Sequence, residues 1–194
     1  IILIFILGVF TVFFLASGNV IAKEKSVGSV VRVVGDVRFI DDDGEAKKLH
    51  IQQEIYSGDK LFTGKGSWLT VNFYDLTRVV LRPESEFHIA SFPATMDAGD
   101  IDLEIVRGGA RITSGTIAST SYERFTLSTP NGKQHAGRAE WVVRVCDESR
   151  CDTEYDAVKQ CEKYKKPMIK DTEIVSVYQG QVRVDSCAGM SGME

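Results

Sequence analysis

Ser67–Asp75 reads SWLTVNFYD, and after Leu76 the run Thr77–Ser85 reads TRVVLRPES. In the first run Val71 and Phe73 face one way while Asn72 and Tyr74 face the other, the period-two alternation of a half-buried strand. Working outward, the same rhythm returns in VGSVVRVVGDVRFI from Val27, EFHIASF from Glu86 and IDLEIVRGGARIT from Ile101. It returns again in RFTLSTP from Arg124, AEWVVRVC from Ala139 and EIVSVYQGQVRVDS from Glu173. Gly28, Gly35, Gly58, Gly64, Gly66, Gly108, Gly109 and Gly180 punctuate these runs, as tight turns and bulges require. Pro83 and Pro130 fall at strand ends, where a missing N–H does least harm. No apolar stripe of helical period competes. The pattern predicts an all-β single domain whose short strands form a β-helical or roll-like, or a sandwich-like, core.

Composition narrows the function classes. The chain has 194 residues, 26% of them charged, with ten Phe and a formal charge of −4. That content of charge and aromatics describes a folded domain and not a disordered one. A mildly acidic balance argues against a nucleic-acid binder, which concentrates basic side chains for phosphate. Residues 1–22 carry no charge, and Ile1–Ala16 reads IILIFILGVFTVFFLA. Val20 and Ala22 then occupy the −3 and −1 places of a small-residue cleavage site ahead of Lys23. This is the core and exit of a secretory signal peptide. The alternative is a retained membrane anchor, since such a helix just crosses a hydrocarbon layer of about 30 Å. Either reading places residues 23–194 outside the cytoplasm, with membrane contact only through the leader if it stays uncleaved.

Cysteine usage agrees with export. Cys146, Cys151, Cys161 and Cys187 make an even set in the C-terminal third, which oxidising conditions favour as disulfides. Four cysteines allow three pairings; the sequence favours Cys146–Cys151 with Cys161–Cys187. Zinc is the functional alternative, but no C-x-x-C pair or nearby His supports it. Residues 147–171 break the strand rhythm, and their acidic and basic side chains largely neutralise one another. They are expected to form a disulfide-pinned insertion, with a short helix over Tyr155–Lys165 that Pro167 ends.

Tyr56–Phe87 carries a resemblance. Gly58-Asp59, Thr63-Gly64, Gly66-Ser67, the alternating Val71 and Phe73, Asp75, Leu81 and Pro83-Glu84-Ser85 follow one another in the order of the periplasmic domain of the FecR family, which this stretch resembles. Leu103–Gly109 is similar to that family's strand ending in a glycine turn, and Tyr178–Val184 to its closing strand. The resemblance covers nearly all of residues 27–185. It implies a periplasmic location and a role in relaying the state of an outer-membrane receptor to a sigma factor. Two departures stand out. Leu76 replaces the glycine expected after Asp75, so a different turn geometry or a loop is expected there. Gly137-Arg138-Ala139-Glu140-Trp141 lacks the glycine–threonine pair usual at the corresponding strand start of the family.

Residues that invite catalytic or metal readings have plainer explanations. His50, His88 and His135 are widely separated and read as solvent-facing or hydrogen-bonded. Asp41-Asp42-Asp43-Gly44-Glu45 lacks the ligand spacing of a calcium loop and reads as a hairpin turn. No G-x-S-x-G context accompanies the abundant Ser and Thr, and the glycines precede no helix that would cradle phosphate. The basic run Lys163–Lys166 sits among Asp152, Glu154 and Asp156 in a self-neutralised segment. The expectation is a non-enzymatic exported domain without catalytic residues, metal or cofactor, binding an outer-membrane or periplasmic protein for envelope signalling or scaffolding. The alternatives are a glycan- or peptidoglycan-binding module using Trp68, Tyr74 and Trp141, and a transmembrane anti-sigma regulator if a cytoplasmic region precedes Ile1. Thiol titration checks the bridges: the exported protein is expected to show no free thiol before reduction and four after it, and four free thiols at the outset would exclude both pairs.

Overall fold

The computed structural model describes residues 25–40, 44–146 and 172–186. The leader, the insertion 147–171, its proposed helix, and Cys151, Cys161 and Cys187 lie outside them, as do both disulfide pairs. The architecture is all-β and almost wholly antiparallel. In chain order the strands are β1 (Gly28–Val34), β2 (Val37–Ile40), β3 (Ala46–Lys48), β4 (Glu54–Ile55), β5 (Lys60–Thr63), β6 (Trp68–Phe73) and β7 (Arg78–Leu81). They continue with β8 (Glu86–Ser91), β9 (Ile101–Thr113), β10 (Phe125–Thr129), β11 (Gly132–Ala136), β12 (Glu140–Cys146), β13 (Thr172–Gln179) and β14 (Val182–Ser186). Between β9 and β10 lie a five-residue helix α1 (Thr116–Thr120) and a single 3₁₀ turn over Tyr122–Arg124, neither of which the alternation announced.

The strands form two layers joined through one long strand. The front layer runs β4-β1-β6-β7-β9-β12-β13, and the back layer runs β3-β2-β5-β8-β9-β10-β11-β14. β9 belongs to both. Residues 101–107 pair with β8 and β10, while residues 108–113 pair with β7 and β12. The result is one sheet curled over on itself, the roll-like or sandwich-like expectation. A β-helix stacks parallel coils, whereas β9–β10 is the one parallel pair among the described strands.

Side-chain phase explains the curl. Ile101, Leu103 and Ile105 are buried at odd positions, then Ala110 and Ile112 at even ones. In a flat strand that change of parity would send the second half to the opposite face. Folding at Gly108 (φ +79°) returns both halves to one core. Leu103–Gly109 therefore does not end in a glycine turn, as the resemblance implied; the strand passes through the glycines and changes layer. Three other segments cross between layers beside this point: Gly35-Asp36 between β1 and β2, Gly64–Ser67 between β5 and β6, and Arg82–Ser85 between β7 and β8. The run from Val27 is thus two strands bent at Gly35, and the run from Glu173 is two strands split at Gly180.

Bending a strand withdraws peptide groups from its ladder, and buried hydroxyls take their place. The Asp36 N–H donates to Ser67 Oγ at 2.9 Å. Thr63 Oγ1 donates to the Arg82 carbonyl at 2.5 Å and accepts from the Ser85 N–H at 2.9 Å. Ser85 Oγ accepts from the Gly109 N–H at 2.9 Å and donates to the Gly109 carbonyl at 3.0 Å. The approach is so close that a Cβ on Gly108 would stand 2.6 Å from Ser85 Cα. Between the layers Leu69, Val71, Val79, Leu81, Phe87 and Ile89 complete the core with Trp141 and Phe125, whose rings meet edge-on at 5.5 Å.

At the β6–β7 turn the expected change of geometry does not occur. Leu76 takes the left-handed conformation a glycine would adopt (φ +72°), with its side chain 74% exposed. Asp75 enforces this from below: its buried carboxylate accepts from the Thr77 N–H at 2.8 Å and hydroxyl at 3.0 Å, and its carbonyl accepts from the Thr116 N–H at 2.8 Å.

Two stability measurements follow from these corners. Ser85→Ala strands the buried Gly109 N–H and is expected to cost about 2 kcal/mol in denaturant unfolding, against a few tenths for Ser91→Ala on an exposed position. A left-handed Leu costs roughly 1–2 kcal/mol, of which glycine's chain entropy returns part. Leu76→Gly is therefore expected to stabilise by about 0.5–1 kcal/mol, and a lower midpoint than the parent would refute the strain.

Candidate functional site

The motif residues are construction, not a site. Thr63-Gly64, Gly66-Ser67, Pro83-Glu84-Ser85 and Gly108 all lie in the layer-crossing row. Gly58 and Asp59 form the turn before β5, where the Asp59 carboxylate accepts from the Tyr56 N–H at 2.8 Å and the Gly58 N–H donates to the Ile89 carbonyl at 2.7 Å. Asp75 is the buried lock just described. Cys146 ends β12 and lies opposite Thr172 of β13. Residues 41–43 lie outside the described part, but β2 and β3 pair on either side of them with Ile40 opposite Ala46, the hairpin expected there.

The histidines and aromatics disperse. His88 sits on the outer face of the back layer with Glu104 and Glu86 each 3.1 Å from a ring nitrogen, and Glu86 also meets Arg107 at 3.2 Å. His50 is exposed in the loop after β3, and His135 lies on β11 with Nδ1 3.3 Å from Thr126 Oγ1. Among the described residues no group of three or more His, Cys, Asp or Glu is placed to hold a metal ion. Trp141 is wholly buried and donates its indole N–H to Gln134 Oε1 at 2.7 Å. Tyr74 is half-buried, donates to the Pro93 carbonyl and packs edge-on against Phe92. Burial, and then the neighbouring Asp75 charge, raise its phenol pKa. Trp68 lies part-exposed on the outer front face under the Arg82 guanidinium, 5.4 Å from its ring centre. The three therefore share no common surface, and the platform considered for a glycan does not form.

What the fold brings together instead is the open rim of the curl. There β13 borders the front layer and β14 the back layer, joined by Gly180-Gln181. Gly180 (φ +81°) passes so near the β11–β12 connection that a Cβ would stand 2.8 Å from Ala139 Cα. Ser114 pins that connection from β9: its hydroxyl accepts from the Ala139 N–H at 2.8 Å and lies 2.5 Å from the Gly137 carbonyl. Beside this crossing opens a cleft of about 770 Å³, its floor formed by Val177 and Val182 and its walls by Tyr122, His135, Arg138 and Arg183. Arg183 stacks over the Tyr122 ring at 5.3 Å and its Nε lies 3.4 Å from Asp185, fixing that wall. Across Arg138 lies a second, more polar groove of about 540 Å³, bordered by Leu76, Thr116, Glu140 and Gln179.

Large apolar side chains are exposed around both openings. Tyr178 is 65% exposed, and Leu76, Tyr122, Val177 and Val184 are exposed as well. Tyr178 is the extra residue where the β12–β13 register shifts, which turns it outward. Two of the contributing stretches, Gly137–Trp141 and Tyr178–Val184, stand out in the sequence, whereas only the fold brings Tyr122, His135 and Leu76 beside them.

Among the described residues no helix is long and apolar enough to cross a membrane. No family model and no curated protein matches the chain. Among solved structures, one described as "Cell surface anchoring domain" is similar at 26% identity and a TM-score of 0.31, over 32% of this chain and 82% of that one. That is a local likeness.

Proposed function

We propose that this chain is a non-enzymatic, exported, FecR-like domain that binds another protein of the cell envelope, in signalling or scaffolding, and that it does so at the open rim. The observation that carries this reading is the rim itself. Among the described residues β13 pairs with β12 alone and β14 with β11 alone, so two edges lie side by side over an apolar cleft. Native proteins ordinarily blunt such edges. Here the edge carries Val177 and Tyr178 in the open. An extended partner segment adds to β13 through its main chain and lowers an apolar side chain onto Val177 and Val182, the usual division between affinity and specificity in strand addition. Arg138 and Arg183 on the walls select against a basic segment. Family resemblance supplies the periplasmic and signalling side of the proposal, and disulfides near the insertion belong to the same exported reading.

The test is capture of a partner from envelope extract on the full chain, compared with Val177→Asp and Leu76→Asp variants of unchanged melting temperature. Placing a carboxylate in an apolar contact is expected to weaken capture at least about tenfold. A partner held equally well by Val177→Asp would rule out the rim, and retention on insoluble peptidoglycan without any protein partner would favour the glycan alternative.

A further inference from the structure

Four strands bring one hydroxyl, one carboxylate, one amide and one indole together on the inner side of the open rim. Thr129 ends β10 and lies opposite Gly132, while Gln134 of β11 lies opposite Leu127. The two therefore share the inward face of the hairpin as diagonal neighbours, which side chains of this length can bridge. Trp141 comes from β12. Glu173 comes from β13, where pairing with β12 puts it in the same inward phase as Val175 and Val177.

Hydrogen bonds join the four in one chain. The Trp141 indole N–H donates to Gln134 Oε1 at 2.7 Å. Gln134 Nε2 donates to one oxygen of the Glu173 carboxylate, and the Thr129 hydroxyl donates to the other. An indole N–H only donates and a carboxylate only accepts, so the two neighbours fix which end of the amide is which. The Asn131 N–H donates to Thr129 Oγ1 at 3.3 Å, which turns the hydroxyl proton toward its acceptors, Glu173 and, at 3.2 Å, the Gly132 carbonyl. Gln134 and Trp141 are wholly buried, whereas Thr129 and Glu173 are half-buried.

Satisfying a buried amide calls only for a donor and an acceptor. This arrangement adds the parts that an acyl transfer needs: a nucleophile on a base, the same base on the leaving nitrogen, and a fixed donor on the oxygen where negative charge gathers. Both hydrogen-bond partners of Glu173 are neutral groups, and both are reacting groups of that transfer.

We propose that Thr129 and Gln134 join in an ester cross-link that the chain forms by itself. Glu173 accepts the Thr129 hydroxyl proton as Oγ1 bonds to Gln134 Cδ, and the Trp141 N–H holds the charge that develops on Oε1. The Cδ–Nε2 bond then breaks, Glu173 returns the proton to the departing nitrogen, and one ammonia leaves. Hydroxyl and amide thus give ester and ammonia, with no oxidant, cofactor or second substrate. The step occurs once, on the chain's own side chains, so it neither requires nor opposes the partner proposed for the cleft. It fastens β10 to β11, the strand with which β14 pairs, and the burial of Gln134 shields the product from water.

The experiment is mass spectrometry of the full chain, reduced and digested with trypsin after incubation at neutral pH. Cleavage after Arg124, Lys133 and Arg138 separates Thr129 from Gln134. Phe125–Lys133 and Gln134–Arg138 are expected as one joined peptide, lighter than their sum by one ammonia. Mild alkali is expected to part it and to leave a carboxylate on the side chain of residue 134. Thr129→Ser is expected to stay joined and Thr129→Val to give two peptides, while Glu173→Gln forms the link at least about a hundredfold more slowly. Asn131→Ala is expected to stay joined, which excludes a succinimide at Asn131-Gly132 as the source of the lost ammonia. Unchanged near-UV circular dichroism identifies the variants that keep the fold. The proposal is overturned if the parent yields the two peptides separately at full mass, or if Thr129→Val still yields them joined. It is overturned too if a folded Glu173→Gln variant forms the link as fast as the parent.

Discussion

Two hydrogen bonds between Ser85 Oγ and the peptide of Gly109 hold the point where β9 leaves one layer for the other. The rest of the structure depends on that point because β9 is the strand the two layers share. Everything N-terminal of it packs β1 to β8 against its two halves from one side, and β10 to β14 continue both layers on the other. A strand that folds over must surrender ladder hydrogen bonds where it folds, and a buried peptide left without partners costs roughly 1–3 kcal/mol. Ser85 removes that cost at β9. Thr63 and Ser67 do the same for the neighbouring crossings, so the corner reads as a row of hydroxyls, each serving the backbone of the next segment. A larger residue at any of these positions would push the layers apart. A smaller one would leave the peptides stranded.

This assignment changes what the recurring sequence pattern means. Thr-Gly, Gly-Ser and Pro-Glu-Ser follow one another along the chain because the corner needs a left-handed or closely approached residue beside a short hydroxyl at each crossing. Their order reflects the order of crossings, so it identifies a way of curling a sheet and says nothing of chemistry. Asp75 belongs to the same logic. Its carboxylate is buried, yet its acceptors are consumed by Thr77 and by the backbone leading into α1. A buried acid with local partners of this kind is a turn lock, and Leu76 above it is held in a conformation its side chain disfavours. Strain of that sort persists where the surroundings over-determine it, and here Asp75, Thr77 and Thr116 do so together.

Much of the architecture was legible in the sequence, and what escaped has definite causes. The strong alternation of β6, β7, β8 and β9 is visible because each buries a full stripe of large side chains. Strands β3, β4 and β11 are not visible: AKK is wholly exposed, EI is two residues long, and GKQHA buries Gly132, Gln134 and Ala136, none of them a large apolar side chain. β5 shows only Leu61 and Thr63 inward, too short a run to stand out. Even the fold in β9 was written in the parity change from Ile105 to Ala110, although two adjacent glycines suggest a turn first. The rim resisted for another reason. Tyr122, His135, Arg138 and Val177 come from four segments, and their meeting depends on β13 and β14 dividing between layers, which no local pattern encodes.

The outward arginines of the front layer show the same division between local and global information. Arg78, Arg111 and Arg144 each alternate with a buried neighbour, Val79, Ile112 and Val143, so their outward direction follows from sequence alone. Their convergence does not, because it requires β7, β9 and β12 to be consecutive neighbours although α1, β8, β10 and β11 intervene along the chain. Net charge was equally uninformative, since −4 averages over opposed surfaces: the outer back layer gathers Glu86, Asp102 and Glu104 around His88 while the outer front layer gathers guanidiniums. Charges that can pair within a face need no partner to explain them. Arg111 meets Glu140 at 2.6 Å and Arg78 donates to Asn72 Oδ1 at 3.0 Å, so these arginines of the front layer are paired on their own face.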